Sequence, residues 1–127
     1  MEKKFSSKWK ASTKPRKQRK YSFNAPLHLK GKMLHSHLSK DLRNKHGKRS
    51  IRVKVGDKVK VMKGQFRGKI GKIASVDLKA TRLQVEGIEI IKKDGSKVAF
   101  FMHPSNVMIT ELNTDDKNRM KRLEAKK

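Results

Sequence analysis

The chain has 127 residues, with 35 lysines and arginines against 11 acidic residues, and a formal net charge of +24 at pH 7. This length allows one compact domain with tails and excludes two full domains. The charge opposes compaction unless a polyanion neutralises it, and nucleic acid is the leading polyanion because each neutralised phosphate releases a condensed counterion. The lack of cysteine excludes disulfides and thiolate metal sites and fits a reducing compartment. No long apolar run or signal-like segment is visible, so we expect a cytoplasmic protein without membrane insertion.

Charge and apolar content divide the chain into three regions. Residues 1–50 carry 16 basic, 2 acidic and 13 apolar side chains, whereas residues 51–112 carry 13 basic, 6 acidic and 27 apolar side chains. Only the middle region has enough apolar material for a core, which at about 60 residues is marginal but feasible. We therefore predict a basic N-terminal extension (1–50), a central domain (51–112) and a C-terminal extension (113–127).

The first region contains one predicted helix. The stretch from Pro15 past Pro26 has no helical stripe of apolar residues, so it is interpreted as an extended basic arm. The segment "LSKDLRNKHG" then predicts a short helix near 39–46. Ser39 can cap its start, Leu42 can dock its apolar side, and Gly47 suits the left-handed position after its end.

The middle region is interpreted as about five short strands. Four valines of the first strand share one parity and are expected to face the core: Val53, Val55, Val59 and Val61. Ile70 and Ile73 should face opposite ways unless a bulge intervenes near Gly71, and the phase of "RLQVEGIEII" slips at Gly87. "KDGS" predicts a hairpin turn, after which "KVAFFM" and "NVMITEL" complete the strands. Short, bulged strands without a long helix predict a mainly β fold, a small and strongly bent barrel.

The C-terminal region predicts a helix. Thr114 can cap it, and Asp115 and Asp116 lie at the positive end of its dipole. Met120 and Leu123 give it one narrow apolar stripe, from which no docking surface follows.

The stretch "MKGQFRGK" predicts a glycine-punctuated hairpin tip. Glycine permits positive φ and close approach of the backbone to a phosphate chain. Phe66 is either an exposed stacking platform for an unpaired base or a ring folded back onto the core. Trp9, Tyr21 and Phe23, which alternate with basic residues, leave a similar choice between base stacking, docking on a neighbouring protein and packing on the domain itself.

Three segments together resemble a known family. "VKVGDKVKVMKGQFRGKIGKIASVDLK" resembles the KOW motif, with Gly71 at its hallmark glycine. KOW modules occur in ribosomal proteins and in transcription elongation factors. The flanks "PRKQRKYSFNAPLHLKGKMLHSHLSKDLRNKHG" and "HPSNVMITELN" resemble the archaeal and eukaryotic form of one large-subunit ribosomal protein family, number twenty-four in the universal naming and twenty-six in the eukaryotic naming.

This resemblance implies more than the composition does. It implies an SH3-like barrel, binding to the 5′ domain of large-subunit rRNA, an early role in assembly and a place near the peptide exit tunnel. It also implies neighbouring ribosomal proteins, and factors docking at the tunnel, as further partners. The RNA-binding residues carried over lie on the arm, the short helix, the hairpin tip and one strand corner: Lys14, Arg16, Lys17, Arg19, Lys20, Tyr21, Lys30, Lys32, Arg43, Lys63, Gly64, Gln65, Phe66, Arg67, Gly68, Lys69, His103, Ser105 and Asn106.

The residues argue against four other functions. His35-x-His37, with His28 and His46 nearby, could chelate a metal, but with few carboxylates near, solvated or RNA-facing histidines are favoured and no metal or cofactor is expected. The acids of the middle region fall at strand ends or turns without a readable nucleophile–base pair, so we expect no enzyme. A KOW transcription factor would need a separate α/β domain, and residues 1–50 lack the apolar content to build one. A free DNA binder would need to fold by itself, whereas about half of the charge lies on an arm with little core.

Overall fold

A computed structural model of the protein describes residues 2–125. Met1 and the last two residues of the predicted C-terminal extension lie outside the described residues. The helices are α1 (Pro15–Asn24), α2 (Leu27–Met33), α3 (Lys40–His46) and α4 (Lys117–Glu124), with 3-10 turns at Ser7–Ala11 and Pro104–Asn106. The strands are β1 (His35–Leu38), β2 (Ser50–Arg52), β3 (Lys58–Val61), β4 (Ile70–Asp77), β5 (Arg82–Ile91), β6 (Lys97–Met102) and β7 (Val107–Glu111).

The strands form one mixed sheet rather than a barrel. Their order is β2-β1-β7-β3-β4-β5-β6, with β1 parallel to β7 and every other pair antiparallel. Within the described residues β6 pairs only with β5 and β2 only with β1, so both strands are edges and the sheet does not close. Three ladders contain register shifts, which bend the strands. The prediction of bent, bulged strands is confirmed, but a closed barrel is wrong, because β1 and β2 extend the ladder beyond the predicted strands.

The N-terminal arm is helical rather than extended, which also corrects the mainly β prediction. Helical segments and strands occupy similar numbers of residues, so the fold is mixed α/β. Neither proline interrupts a helix, because Pro15 occupies the first turn of α1 and Pro26 immediately precedes α2. Proline is tolerated at a helix start because the missing N–H has no intrahelical partner there, and its φ is already helical.

The predicted short helix is confirmed together with its caps. Leu42 N–H donates to the Ser39 hydroxyl at the start of α3, and Gly47 adopts a φ of 64° at its end. Leu42 packs against the sheet core. Strand β1, which precedes this helix, was not predicted because Leu38 is the only apolar residue of "HSHL", although burial alternates along the strand.

The core lies on one face of the bent sheet. Its buried members come from β1 and from β3 to β7, with Leu34 and Val53 from the loops beside them: Leu34, Leu38, Val53, Val59, Val61, Ile73, Leu83, Val85, Ile88, Met102, Val107 and Ile109. Val55 was predicted inward but is 53% exposed, because a turn at Gly56, with φ of 91°, interrupts the strand there. Ile70 is exposed and Ile73 buried, which confirms their opposite faces.

Glycine at position 71 has a steric cause. A Cβ built on Gly71 would lie 2.6 Å from the carbonyl oxygen of Glu86 and 2.8 Å from Val85 Cγ1. Strand β5 therefore approaches β4 more closely than any side chain allows. At Gly87, by contrast, the backbone adopts a positive φ of 77°, and the register of β5 against β6 shifts between Gln84 and Glu89, as the predicted phase slip requires.

The C-terminal helix is held by a buried ion pair. Asp116, not Thr114, caps α4, and its carboxylate accepts hydrogen bonds from the amides of Asn118 and Arg119. The Arg119 guanidinium donates to both carboxylate oxygens of Asp57, at 2.7 and 2.6 Å, and the two side chains are 5% and 0% exposed. Leu123 is buried and Met120 is half-buried, so the predicted apolar stripe faces the domain.

Candidate nucleic-acid interface

The hairpin tip between β3 and β4 is a hydrogen-bonded, cationic turn. Gly68 N–H donates to Val61 O at 2.8 Å, and Gly64 and Gly68 adopt φ of 94° and 89°. In the described part of the chain, the amides of Lys63, Gly64 and Gln65 have no acceptor. Three exposed basic residues surround these amides: Lys63, Arg67 and Lys69. The tip thus presents free N–H donors and positive charge together, as a phosphate requires.

Phe66 lies back on the protein rather than outward. Its ring centroid is 5.1 Å from that of Phe100, and the ring packs against the core cluster. Lys69 Nζ lies 5.0 Å above the same ring. One ring face is therefore occupied by Phe100, and a cation lies over the ring. The structure selects the alternative in which Phe66 supports the tip.

The strand corner at His103 lies beside the hairpin tip. Met62 N–H donates to Asn106 O at 2.8 Å, which joins the two predicted segments directly. His103 Nδ1 accepts from the Ser105 amide, and the buried Ser36 hydroxyl donates to Pro104 O at 2.6 Å. The side chains of His103 and Ser105 remain exposed, so corner and tip form one continuous surface.

The predicted arm residues lie on α1 and α2. Lys14 precedes α1, and Arg16, Lys17 and Arg19 are exposed along it. Lys20 is more engaged, because it pairs with Glu2 at 2.6 Å and its Nζ lies 5.9 Å from the Trp9 ring centroid. Its hydrogen bond and charge hold the pKa of the Glu2 carboxyl below its ordinary value.

Tyr21 and Arg43 are placed differently from the prediction. Tyr21 is 9% exposed and stacks on Phe5 at a centroid distance of 5.4 Å, so its ring has no free face for a base. Arg43 Nε donates to Leu38 O at 2.8 Å, so this guanidinium is partly used within the fold. Lys30, which donates to Lys79 O at 2.9 Å, and the exposed Lys32 are on α2.

The predicted residues thus form two surfaces rather than one. The hairpin tip precedes β4, and the β4–β5 turn that receives Lys30 follows it. Between them run the eight residues of β4, roughly 25 Å along a strand that a register shift bends. A partner that contacts both surfaces must therefore be a large or extended polyanion.

A basic cleft between α2, β2 and α4 was not predicted. Its lining includes Lys48, Arg52 and Arg122. The Arg52 guanidinium lies so close to α2 that a Cβ on Gly31 would meet it at 2.9 Å. Burial, and then the charge of Arg52, lowers the pKa of His35 below its ordinary value. Sequence reasoning missed this cleft because its residues come from three separated segments.

Known proteins of similar sequence show which family the chain belongs to. The family model that describes the eukaryotic ribosomal protein L26 and its archaeal counterpart, ribosomal protein L24, matches residues 12–126. The chain belongs to this family. It is similar to the large ribosomal subunit protein uL24 of Methanocorpusculum labreanum, with 51% identity over 91% of this chain and 96% of the relative. The protein of the same name from Korarchaeum cryptofilum is 48% identical over 91% of this chain and 88% of the relative.

Family membership decides between the functions left open by the KOW motif. The match covers the arm, the KOW segment and the C-terminal helix together, so the protein is a structural ribosomal protein of the large subunit rather than a transcription factor or an enzyme. Among residues 2–125, the structure brings together no group of three or more histidines and carboxylates that could hold a metal. No helix in that same part of the chain is long and apolar enough to cross a bilayer.

Proposed function

We propose that the protein binds the 5′ domain of large-subunit rRNA, joins the subunit early in assembly and lies near the exit of the peptide tunnel. Neighbouring ribosomal proteins, and factors that dock at the tunnel, are the further partners of this role. The place of action is the cytoplasmic ribosome. The division of the chain at residues 50 and 112 stays a prediction, although β1 and β2, which precede residue 53, pair within the same sheet as the later strands.

The uneven neutralisation of charge carries this proposal. Six described lysines and arginines lie within 4.0 Å of a carboxylate. Lys17 and Arg19 on α1, and Lys63 and Arg67 on the tip, have no such contact among the described residues. Their repulsion is relieved when phosphates replace the missing carboxylates, and the released counterions favour binding.

Phosphate contacts and RNA shape supply the two parts of recognition. The free amides and cations of the hairpin tip suit a phosphate, and the exposed cations of α1 suit a second stretch of backbone. Because the two surfaces lie at opposite ends of β4, only an RNA folded to present phosphates to each of them contacts both. Shape then selects the site, as is usual for structured RNA.

The test is binding of the full chain to a 5′-domain rRNA transcript over a range of salt. If about six or more phosphates are neutralised, affinity falls roughly a thousandfold between 50 and 200 mM salt. Arg19→Ala and Arg67→Ala, one on each surface, should each reduce the salt slope by about one. Lys92→Ala, on the β5–β6 turn, which carries none of the predicted RNA-binding residues, is the matched control. A flat salt response, or equal binding to transcripts of every rRNA domain, would overturn the proposal.

Cofractionation gives an independent test. Expressed in an archaeal host, the tagged chain should sediment with large subunits and their early precursors. Sedimentation only with mature subunits would contradict the early role while leaving RNA binding intact.

A further inference from the structure

A second groove lies between α1 and the β4–β5 turn. It encloses about 1110 Å³ and is lined by α1 on one side and by Lys79, Ala80 and Thr81 on the other. Lys30 Nζ donates to Lys79 O at 2.9 Å, which ties the turn to α2. Ligand clefts commonly enclose roughly 300–1,000 Å³, so this groove has room for a nucleotide.

Phe23 lies on the groove with its ring uncovered. At 81% exposure, it is the most exposed large hydrophobic side chain in the described part of the chain. The other aromatic rings of this region are withdrawn: Tyr21 is buried, and Trp9 and Phe5 are half-buried. Single exposed apolar residues are ordinary, so the meaning of Phe23 depends on its neighbours.

Those neighbours are cationic. The groove lining contains five basic side chains and no acidic one: Arg16, Arg19, Lys20, Lys30 and Lys79. An acidic peptide would also satisfy the charge. However, the combination of a flat uncovered ring with cations on both sides matches a base between two phosphates, which offers a flat face and negative charge at each end.

The turn that closes the groove is strained. Thr81 adopts a φ of 53°, the only positive φ at a non-glycine residue in the described chain. This conformation is an outlier for a β-branched residue. Two hydrogen bonds hold the turn in this conformation. The Ala80 amide donates to Asp77 Oδ1 at 3.0 Å, and Lys30 Nζ donates to Lys79 O. Backbone strain of this kind persists where the surroundings fix it, and it is concentrated at ligand sites.

We propose that this groove binds one unpaired nucleotide of the RNA, with its base stacked on Phe23 and its flanking phosphates on Arg19 and Lys79. The inference rests on the proposed function and assigns the base-stacking role to Phe23, whereas Phe66 supports the hairpin tip. Sequence-independent stacking on an aromatic face is available to any base. The groove therefore recognises that a nucleotide is unpaired rather than which base it carries.

The test compares two RNA probes, a short duplex and the same duplex with a single-nucleotide bulge. The full-length protein should bind the bulged duplex more tightly. Phe23→Ala should reduce affinity for the bulged duplex about fivefold to a hundredfold, the range expected for one stacked base. Its affinity for the plain duplex should not change, and Phe23→Trp should restore the preference. Phe101→Ala, which removes another exposed ring, on β6, is the matched control.

Salt dependence separates stacking from phosphate contact. Phe23→Ala should leave the salt slope unchanged, because stacking releases no counterion, whereas Lys79→Ala should reduce it by about one. Because both side chains are exposed, the urea midpoints should match that of the wild type, which shows that each variant is folded.

Three results would overturn the inference in distinguishable ways. If Phe23→Ala keeps the bulge preference, the groove does not stack a base and the proposed function stands. If the Phe23→Ala variant binds both RNAs as the wild type does but no longer cosediments with large subunits, the groove contacts a neighbouring protein instead. If the wild type binds neither these probes nor the 5′-domain transcript, the proposed function fails and the inference fails with it.

Discussion

Arg119→Met is the substitution that tests how the C-terminal helix is attached. The methionine keeps most of the apolar stem of the side chain but removes the guanidinium that contacts both oxygens of Asp57. Asp57 would then be 0% exposed with only two donors left, the amides of Lys54 and Asn113 at 2.9 and 2.8 Å. Because this desolvated carboxylate loses the cation that it faces, the substitution should destabilise the fold.

Breaking a buried pair from one side costs about 3–5 kcal/mol. An exposed pair is worth about 0–1 kcal/mol, and Lys58 with Glu111, at 2.9 Å and with side chains 42% and 68% exposed, provides that comparison. Lys58→Met should therefore change the free energy of unfolding little. The double variant Asp57→Asn/Arg119→Met should be less destabilised than Arg119→Met alone, because it leaves no unpaired buried charge.

The measurement is urea unfolding followed by far-UV circular dichroism. Trp9 lies on the 3-10 turn before α1, outside the sheet, so its fluorescence would report the arm and not the core. With a slope of about 2 kcal/mol per molar urea, Arg119→Met should lower the midpoint by about 2 M. A shift no larger than that of Lys58→Met, or a double variant as unstable as the single one, would show that the pair does not fix the helix.

Three further predictions concern single contacts. Gly71→Ala should cost about 1–3 kcal/mol of unfolding free energy, because the new Cβ meets a carbonyl oxygen of β5 at 2.6 Å, and an unchanged urea midpoint would contradict this. The hydrogen bond from Lys54 holds the pKa of Asp116 in the folded protein below its ordinary value of 3.8. The carboxylate therefore stabilises the fold fully above pH 3.8, and this stabilisation is lost as the pH falls through the pKa of the folded state. Asp116→Asn, which keeps a capping oxygen, should therefore lie below the wild type in stability at neutral pH and approach it near pH 2, and a constant difference would argue against the charge. Finally, His35 should titrate below 6.5 by NMR because it is desolvated and next to Arg52, and Arg52→Ala should raise its pKa, whereas an unchanged value would leave burial as the sole cause.

Local signals in the sequence predicted the elements that depend on neighbouring residues alone. The "KDGS" turn forms as expected, with Lys92 N–H donating to Ser96 O and Gly95 at a φ of 87°. The strands on either side of Pro104 and the capped helix after Ser39 are likewise local. Each of these patterns needs only a turn residue, a cap or a strict alternation of side chains.

Elements that depend on distant partners could not be predicted in this way. Strands β1 and β2 are short and polar, and they exist because β7 and one another offer hydrogen bonds. Asp57 and Arg119 are 62 positions apart, and neither carries a local sign of its partner. The roles of Phe66 and Phe23 could not be told apart either, because both residues lie among basic residues in the sequence. Only the structure shows that Phe100 packs on Phe66.

The placement of β7 has a consequence for the order in which the protein can be completed. This strand is the last of the seven along the chain, yet it lies between β1 and β3. Until a ribosome has synthesised residues 107–111, the β1–β2 pair lacks the strand that connects it to β3. The basic segment before β1 is then attached to an incomplete sheet. The sheet can therefore be completed only late in translation, and until then the basic segment is available to bind other polyanions.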